Sequence, residues 1–196
     1  MYTVVGYFTS GTLYEEKSRS LIESLEKFGL SYYIEGVTDL GSWHKNTAYK
    51  PTFLKRMHEN FKPNPIVYVD CDARFLEYPD LFDKLSTQVD VDIAVHNFDR
   101  SCYRKSAHGF EILSGTIYLA CNNRVKEILE AWELECSKHP EVWDQKSLEK
   151  VLNGNFTPLP YEYCTIFDRL RDGLIPVIVH YQASREYKRL QSSRRV

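Results

Sequence analysis

The sequence predicts an α/β domain built on a mainly parallel sheet. Strand-like segments alternate with helix-like segments through the first half of the chain, which is typical of βαβ units. Residues 66–70, IVYVD, are the most strand-like segment, because β-branched and aromatic residues follow one another there. The chain has 196 residues, of which 43% are hydrophobic and 27% charged, so it suits one globular domain.

The chain opens with a strand and a helix. Residues 3–8, TVVGYF, are β-branched and aromatic and predict the strand. Thr12 followed by Glu15 fits a capping box, so a helix is expected to begin there. Gly29 is a natural stop for that helix.

The remaining predicted elements follow in chain order. They are strands at 31–37, 66–70, 92–98 and 115–121, helices at 51–60, 123–138 and 144–152, and late strands within 156–164 and 175–181. Irregular pieces at 38–50 and 99–110 interrupt this series, and loops of that length are often functional. The second one, DRSCYRKSAHGF, is either a lid that orders over a bound ligand or a solvated connector.

Charge, cysteine content and hydropathy exclude several classes of protein. The formal net charge of −2 argues against a general nucleic-acid binder. Five cysteines without a CxxC pair favour reduced thiols over a disulfide framework or a zinc site. The first ten residues lack the features of a signal peptide, and the apolar runs are too short to span a membrane. We therefore expect a cytoplasmic protein, with peripheral membrane contact left open.

A basic tail, residues 184–196, follows the predicted domain at 1–183. Arginine and lysine outnumber the single acid of the tail, Glu186. Such a tail contacts anionic lipid or nucleic acid, or only keeps the protein soluble.

Two aspartates follow the most strand-like segment directly. Asp70 and Asp72 flank Cys71, and in extended chain both carboxylates point the same way. Ligands of a parallel sheet bind beyond the carboxyl ends of its strands, which is where this pair lies. Two carboxylates so close repel unless a cation or a proton lies between them. The pair therefore indicates either a Mg²⁺ or Mn²⁺ site or a polar turn after a strand.

Several motifs occur together with this pair and in a definite order. They are TSGTLYEE after the first strand, then SWHKNTAYKP, VYVDCD, SGT, WDQKSLEKVL and VIVHY. In these motifs the sequence resembles the GT-A nucleotide-sugar glycosyltransferases, especially family 8 and family 77-like retaining enzymes. The resemblance covers most of the chain and implies a GT-A, Rossmann-like fold. It also implies a hexosyltransferase that uses a nucleoside-diphosphate sugar, with UDP as the expected nucleotide.

The resemblance implies a metal site. Asp70, Asp72 and His180, the histidine of VIVHY, would hold Mn²⁺ or Mg²⁺ against the donor diphosphate. The ordinary histidine pKa of about 6.5 would leave His180 neutral, as a ligand must be, at pH 7. The structural alternative for His180 is a hydrogen-bonded strand histidine at the rim of the sheet.

Donor-binding residues are also implied by the resemblance. Lys50 would reach a phosphate or the ribose, although a solvated lysine would fit the sequence equally. Asn46 and Trp43 would border the same pocket or merely pack their loop. Ser114 and Gly115 would form a small-residue turn that lets the backbone approach the donor sugar.

The base of the nucleotide is expected beyond the first strand, at Thr9 and Tyr14. The ring of Tyr14 would stack on uracil or pack under the first helix. Cys71, between the two aspartates, would lie beside the donor.

Asp144 and Gln145 are the residues that the resemblance places nearest the chemistry. Gln145 would lie near the anomeric carbon, and Asp144 would orient the donor sugar or the acceptor. Because glutamine is a poor nucleophile, front-face transfer with retention is expected. The structural alternative for Asp144 is a helix N-cap.

The sequence departs from family 8 at two positions that bind the donor diphosphate in that family. That family has glycine and lysine where this chain has Ala183 and Glu186. Arg185 or Lys188 would have to substitute, so a relative nearer the family 77-like group fits better.

Other functions remain open on the sequence. A haloacid dehalogenase-type phosphatase also places DxD after a strand, but Arg74 stands where its motif expects Thr or Val. A sugar nucleotidyltransferase would need a glycine-rich GxGTR loop after the first strand, where this chain has TSGT. A catalytically inactive sugar-nucleotide-binding module is the alternative outside enzymology. The acceptor could be a glycan, a lipid-linked glycan, a protein, a small molecule or a modified nucleobase.

Overall fold

A six-stranded mixed sheet forms the centre of the molecule. The computed structural model describes residues 1–102 and 108–185. Nine strands are found there: β1 (Thr3–Thr9), β2 (Tyr32–Val37), β3 (Ile66–Val69), β4 (Ala73–Phe75), β5 (Ile93–Asp99), β6 (Phe110–Leu119), β7 (Thr157–Pro158), β8 (Thr165–Ile166) and β9 (Ile178–His180). The central sheet has the order β2-β1-β3-β6-β5-β7.

Parallel pairing predominates on both sides of one antiparallel strand. β1 pairs in parallel with β2 and β3, and β5 pairs in parallel with β7. β6 runs antiparallel to both of its neighbours, β3 and β5. The carboxyl ends of β1 and β3 therefore open on the same edge, as the sequence predicts.

A small second sheet, β4-β9-β8, lies next to that edge. β4 pairs antiparallel with β9 so that Ala73 is opposite His180. This pairing brings the late histidine beside the turn that follows β3.

Six α-helices of the described residues flank the sheet. They are α1 (Leu13–Lys27), α2 (Trp43–Ala48), α3 (Lys50–Asn60), α4 (Asp80–Leu85), α5 (Asn123–Lys138) and α6 (Asp144–Leu152), with short 3₁₀ turns at Arg100–Cys102 and Tyr161–Tyr163. One hydrophobic core joins α3, α5 and α6 to the sheet and includes the fully buried Phe53 and Trp132. A second core, on the side of α1 and α4, includes Leu21 and Phe82.

The cap of the predicted first helix uses the two side chains of a capping box, Thr12 and Glu15, but each of them bonds a different backbone N–H group. Thr12 is the N-cap, and its hydroxyl accepts from the backbone N–H of Tyr14 at 3.2 Å. Glu15 accepts from the backbone N–H of Gly11 at 2.7 Å, whereas a capping box would use that of Thr12. Gly29, just beyond the helix, has a φ of 63°, which glycine adopts at little cost.

Other differences from the predicted elements lie in the segments read as irregular. α2 occupies part of 38–50, where every helical residue is half-buried or exposed and gives no apolar stripe. β6 begins at Phe110 rather than at 115, so ordered strand replaces the end of the predicted loop 99–110. Residues 103–107 of that loop and residues 186–196 of the predicted basic tail lie outside the described residues.

The late strands are shorter than the sequence predicts. Residues 156–164 contain the two-residue β7 and a 3₁₀ turn, and 175–181 contain the three-residue β9. Among the described residues, no helix combines the length and apolar character that a membrane crossing requires.

Candidate active site

A cleft of about 260 Å³ opens at the carboxyl ends of β1 and β3. Most of the side chains that the sequence singles out line it. They are Thr9, Tyr14, Trp43, Asn46, Lys50, Asp70, Cys71, Asp72, Ser114, Asp144 and Gln145. Gly115 and His180 are not part of its wall. The carbonyl of Gly115 accepts from the backbone N–H of Asp70 at 2.8 Å, and a ring nitrogen of His180 lies within 4.8 Å of the carboxylates of Asp70 and Asp72.

Three side chains of the site could together hold a metal ion. They are Asp70, Asp72 and His180, and we call them the metal cluster. Each offers a ligand atom, and these atoms lie within 4.8 Å of one another. A turn positions the carboxylates, because the backbone N–H of Ala73 donates to the carbonyl of Asp70 at 2.9 Å. The backbone N–H of Ala183 donates to Asp72 Oδ2 at 2.7 Å. Two carboxylates and an imidazole are a donor set that Mn²⁺ and Mg²⁺ accept.

Thr116 orients the imidazole of His180. Its Oγ1 lies 2.8 Å from His180 Nε2, while His180 Nδ1 lies 3.7 Å from Asp72 Oδ1. A polar partner on the ring nitrogen that faces away from the carboxylates is the usual support of a ligating histidine. The sequence drew attention to Ser114 and Gly115 of the SGT motif but not to this role of Thr116.

The pKa of His180 differs from the ordinary value expected from the sequence. Burial disfavours the charged ring, but the nearby Cys164 and Asp72 outweigh burial and raise the pKa of His180 to about 10. A histidine ligates a metal only when neutral. A cation bound here would therefore displace a proton from the ring.

Lys50 lines the cleft but is buried, so it is not the solvated lysine that the sequence also allowed. It is 4% exposed, and its Nζ lies 3.2 Å from Asp70 Oδ1 and 2.9 Å from Asp144 Oδ2. It also donates to the carbonyl and the hydroxyl of Ser114 at 3.1 and 3.2 Å. Burial opposes its charge, but Asp144 and Asp70 outweigh burial and raise the pKa of Lys50. The buried ammonium group of Lys50 thus links the carboxylates of Asp70 and Asp144.

Asp70 remains ionised because of this link. Burial disfavours its charge, but Lys50, His180 and the hydroxyl of Tyr68 together lower the pKa of Asp70. The Tyr68 hydroxyl donates to Asp70 Oδ1 at 2.8 Å. Tyr68 was missed in the sequence, where it looks like one more core residue of the strand.

An irregular stretch of β6 carries the SGT residues into the site. Val95 of β5 pairs with Ile117, but the next residue, His96, pairs with Leu113. Ser114–Thr116 therefore bulge away from β5, and bulges of this kind commonly lie beside active sites.

Glycine is required at position 115 by its neighbours. A Cβ there would lie 2.9 Å from His180 Cε1 and 3.2 Å from Asp70 Oδ2. The structure thus shows a close approach of Gly115 to the metal cluster, and its approach to the donor sugar stays a prediction.

Asp144 and Gln145 begin α6. Trp143 is the N-cap of this helix, so Asp144 is its first residue and not the cap considered from the sequence. Asp144 is 5% exposed, and its Oδ2 accepts from the Ser114 hydroxyl at 3.1 Å as well as from Lys50. Gln145 Oε1 accepts from the backbone N–H of Ser114 at 3.4 Å.

The side chains that we expect to line the nucleotide pocket differ in what they contact. Tyr14 lines the cleft, and burial raises the pKa of its phenol. Asn46 accepts from the backbone N–H of Leu40 at 2.8 Å and donates to Asp39 at 3.0 Å. Its amide thus secures the preceding loop, while Asn46 also lines the cleft.

Cys71 is buried between the two aspartates. Burial, followed by the carboxylates of Asp72 and Asp70, raises the pKa of this thiol. It is therefore a neutral thiol at pH 7 and not a charged ligand.

Of the two basic residues that could replace the diphosphate-binding lysine of family 8, only Arg185 lies among the described residues. Arg185 donates to Asp168 at 2.6 Å, so its guanidinium is paired. Glu186 and Lys188 lie outside the described residues.

A family model described as nucleotide-diphospho-sugar transferase matches residues 41–189. That range includes the metal cluster, Lys50, the SGT bulge and the start of α6. No curated protein matches the sequence.

Solved structures with the same architecture are glycosyltransferases. One is involved in glycosylation of the major capsid of PBCV-1; it is 16% identical, with a TM-score of 0.71 over 100% of this chain and 99% of that one. The galactosyltransferase LgtC is 10% identical, with a TM-score of 0.64 over 92% of this chain and 87% of that one. GlyE of Streptococcus pneumoniae is 15% identical, with a TM-score of 0.58 over 92% of this chain but 54% of GlyE. At these identities the likeness establishes the fold, and it confirms the predicted GT-A architecture.

Proposed function

The chain belongs to the nucleotide-diphospho-sugar transferase family, and from that premise we propose that it transfers a sugar from UDP to an acceptor hydroxyl, with Mn²⁺ or Mg²⁺ and with retention of configuration. As a member of this family the protein is a glycosyltransferase enzyme. The observation that carries the finer proposal is the metal cluster at the end of β3, which Lys50 joins to Asp144.

The donor diphosphate is assigned to the metal cluster. Asp70, Asp72 and His180 would hold the cation, and their support by Tyr68, Thr116 and the backbone of Ala183 suits a ligand set that is held in place. A divalent cation bound there would neutralise the negative charge that develops on the departing UDP.

The nucleoside and the donor sugar are assigned to opposite sides of that cluster. Thr9, the last residue of β1, and Tyr14, in the first turn of α1, would receive the uracil, with Asn46 and Cys71 bordering the nucleotide. The bulge at Ser114 and Gly115 would face the sugar. The assignment follows the strand order, because β1 and β6 lie on either side of β3, the strand that leads into Asp70.

The chemistry at the anomeric carbon follows from the surroundings of Asp144 and Gln145. The Asp144 carboxylate is buried and bound to Lys50 and Ser114, so it is poorly placed to attack as a nucleophile. Gln145 is uncharged and cannot form a stable glycosyl ester. We therefore assign front-face transfer: the bond from C1 to the phosphate oxygen breaks, the bond from C1 to the acceptor oxygen forms, and the acceptor proton passes to the departing phosphate.

Release of diphosphate from a panel of UDP-sugars and GDP-sugars, with Mn²⁺ present, tests the proposal. We expect slow hydrolysis of at least one UDP-sugar and its loss in Asp144→Asn. A protein that binds UDP but releases diphosphate from none of these donors would be a sugar-nucleotide-binding module. Release of phosphate from simple phosphomonoesters would favour the phosphatase instead.

A further inference from the structure

The cleft continues past the residues assigned to the donor. Along β6, Thr116 and Gly115 contact the metal cluster, and Ser114 contacts the first two residues of α6. Leu113 and Glu111 precede them on the same strand and also line the cleft. One wall therefore runs from the metal cluster, past the assigned transfer point, to an end to which no part of the donor is assigned.

A half-exposed tryptophan lies at that end. Trp143 lines the cleft, is 41% exposed, and directly precedes Asp144. Its carbonyl accepts from the backbone N–H groups of Lys146 and Ser147 at 3.1 and 3.3 Å, which fixes its backbone. Its ring meets the ring of Trp43 edge to face, with centroids 6.2 Å apart. The result is an indole with a fixed place and an accessible surface beside the reacting centre.

The charge of the cleft limits what can bind there. Lys50 is the one lysine or arginine among the described lining residues, and two carboxylates already surround it. The described acids of the lining are Asp39, Asp70, Asp72, Glu111 and Asp144. With the cation reserved for the donor, the described lining offers no unpaired lysine or arginine to a second anion, such as a lipid phosphate or a nucleic-acid backbone.

We infer that the acceptor is an uncharged carbohydrate whose C–H face stacks on the indole of Trp143. A sugar ring has an apolar face of C–H groups and an edge of hydroxyls, and an aromatic ring beside a carboxylate complements both. Glu111 would accept from the hydroxyls, and its carboxylate is held 3.5 Å from Lys146 Nζ. This inference rests on the proposed function, whose acceptor it specifies.

Saturation-transfer NMR on the full chain, with UDP and Mg²⁺, tests the inference. The probes are the methyl glycosides of glucose, galactose, mannose, xylose and N-acetylglucosamine, each compared with its phosphorylated counterpart where one exists. We expect at least one neutral glycoside to bind through its C–H face. Trp143→Ala should weaken that binding by about tenfold, and Trp143→Phe, which keeps a smaller ring, should weaken it less.

Tyr78→Ala is the matched control, because Tyr78 is 43% exposed and lies outside the cleft. Equal loss in Tyr78→Ala and Trp143→Ala, or no loss in either, would overturn the assignment. So would tighter binding of the phosphorylated sugars, or UDP binding without binding of any glycoside. A parallel titration of UDP into the wild-type protein separates these results from failure of the proposed function. If UDP does not bind, the proposed function and the acceptor inference are both wrong. If UDP binds and no glycoside does, only the acceptor inference is wrong.

Discussion

Lys50 Nζ lies 2.9 Å from Asp144 Oδ2, and both side chains are almost completely buried. The same ammonium reaches Asp70 at 3.2 Å, so a residue at the start of α3 joins the first residue of α6 to the metal cluster. Two carboxylates that would otherwise repel each other are thereby held at one end of the cleft.

Replacing Lys50 by methionine should destabilise the fold. Loss of the ammonium leaves the Asp144 carboxylate buried without its cation, which typically costs about 3 kcal/mol. The partner Asp70 is 40% exposed, so solvent screens its share of the loss. Urea unfolding of Lys50→Met and of Lys45→Met, an exposed lysine of the neighbouring α2, would measure the difference. Equal unfolding midpoints would show that the buried link contributes nothing.

Gly115→Ala should weaken cation binding without unfolding the protein. The added Cβ would lie 2.9 Å from His180 Cε1, so the imidazole must move away from the carboxylates. We expect the Mn²⁺ affinity, measured by calorimetry, to fall by at least about tenfold.

Gly173→Ala is the control for the change of glycine to alanine. Its φ of 76° disfavours alanine, but the new Cβ would meet no described atom within 4 Å. This variant should lose stability by about 1 to 2 kcal/mol and keep its Mn²⁺ affinity. Unchanged Mn²⁺ affinity in Gly115→Ala would mean that the site tolerates a displaced imidazole.

The first sugar released by hydrolysis of a UDP-sugar should have the anomeric configuration of the donor. Asp144 is bound to Lys50 and Ser114, and Gln145 has no charge, so neither is suited to form a covalent intermediate. Proton NMR spectra taken before mutarotation would identify the first anomer. The opposite anomer would require attack from the far face and would rule out the front-face assignment.

The sequence predicted the parts of the site that depend on local pattern. Asp70 and Asp72 end a strand whose residues are unmistakably apolar, and the start of α6 follows from its own periodicity. The short strand β4, which sets His180 opposite Ala73, has only three residues and leaves no period to detect.

Other parts depended on contacts between distant segments. The bulge at Ser114–Thr116 interrupts the alternation of β6, which is why that strand was expected to begin at 115 and not at Phe110. Lys50 meets Asp144 only after α3 and α6 have packed on the same core. A lysine before a helix gives no sign of such burial, so Asp144 was not expected as its partner.

The central claim is that Asp70, Asp72 and His180 hold a cation that binds UDP. Calorimetric titration of UDP with and without Mn²⁺, on the wild-type protein, Asp72→Ala and the exposed control Asp90→Ala, tests it most directly. The account predicts binding that requires Mn²⁺, persists in Asp90→Ala and is lost in Asp72→Ala. Binding that ignores Mn²⁺, or that survives in Asp72→Ala, would contradict it.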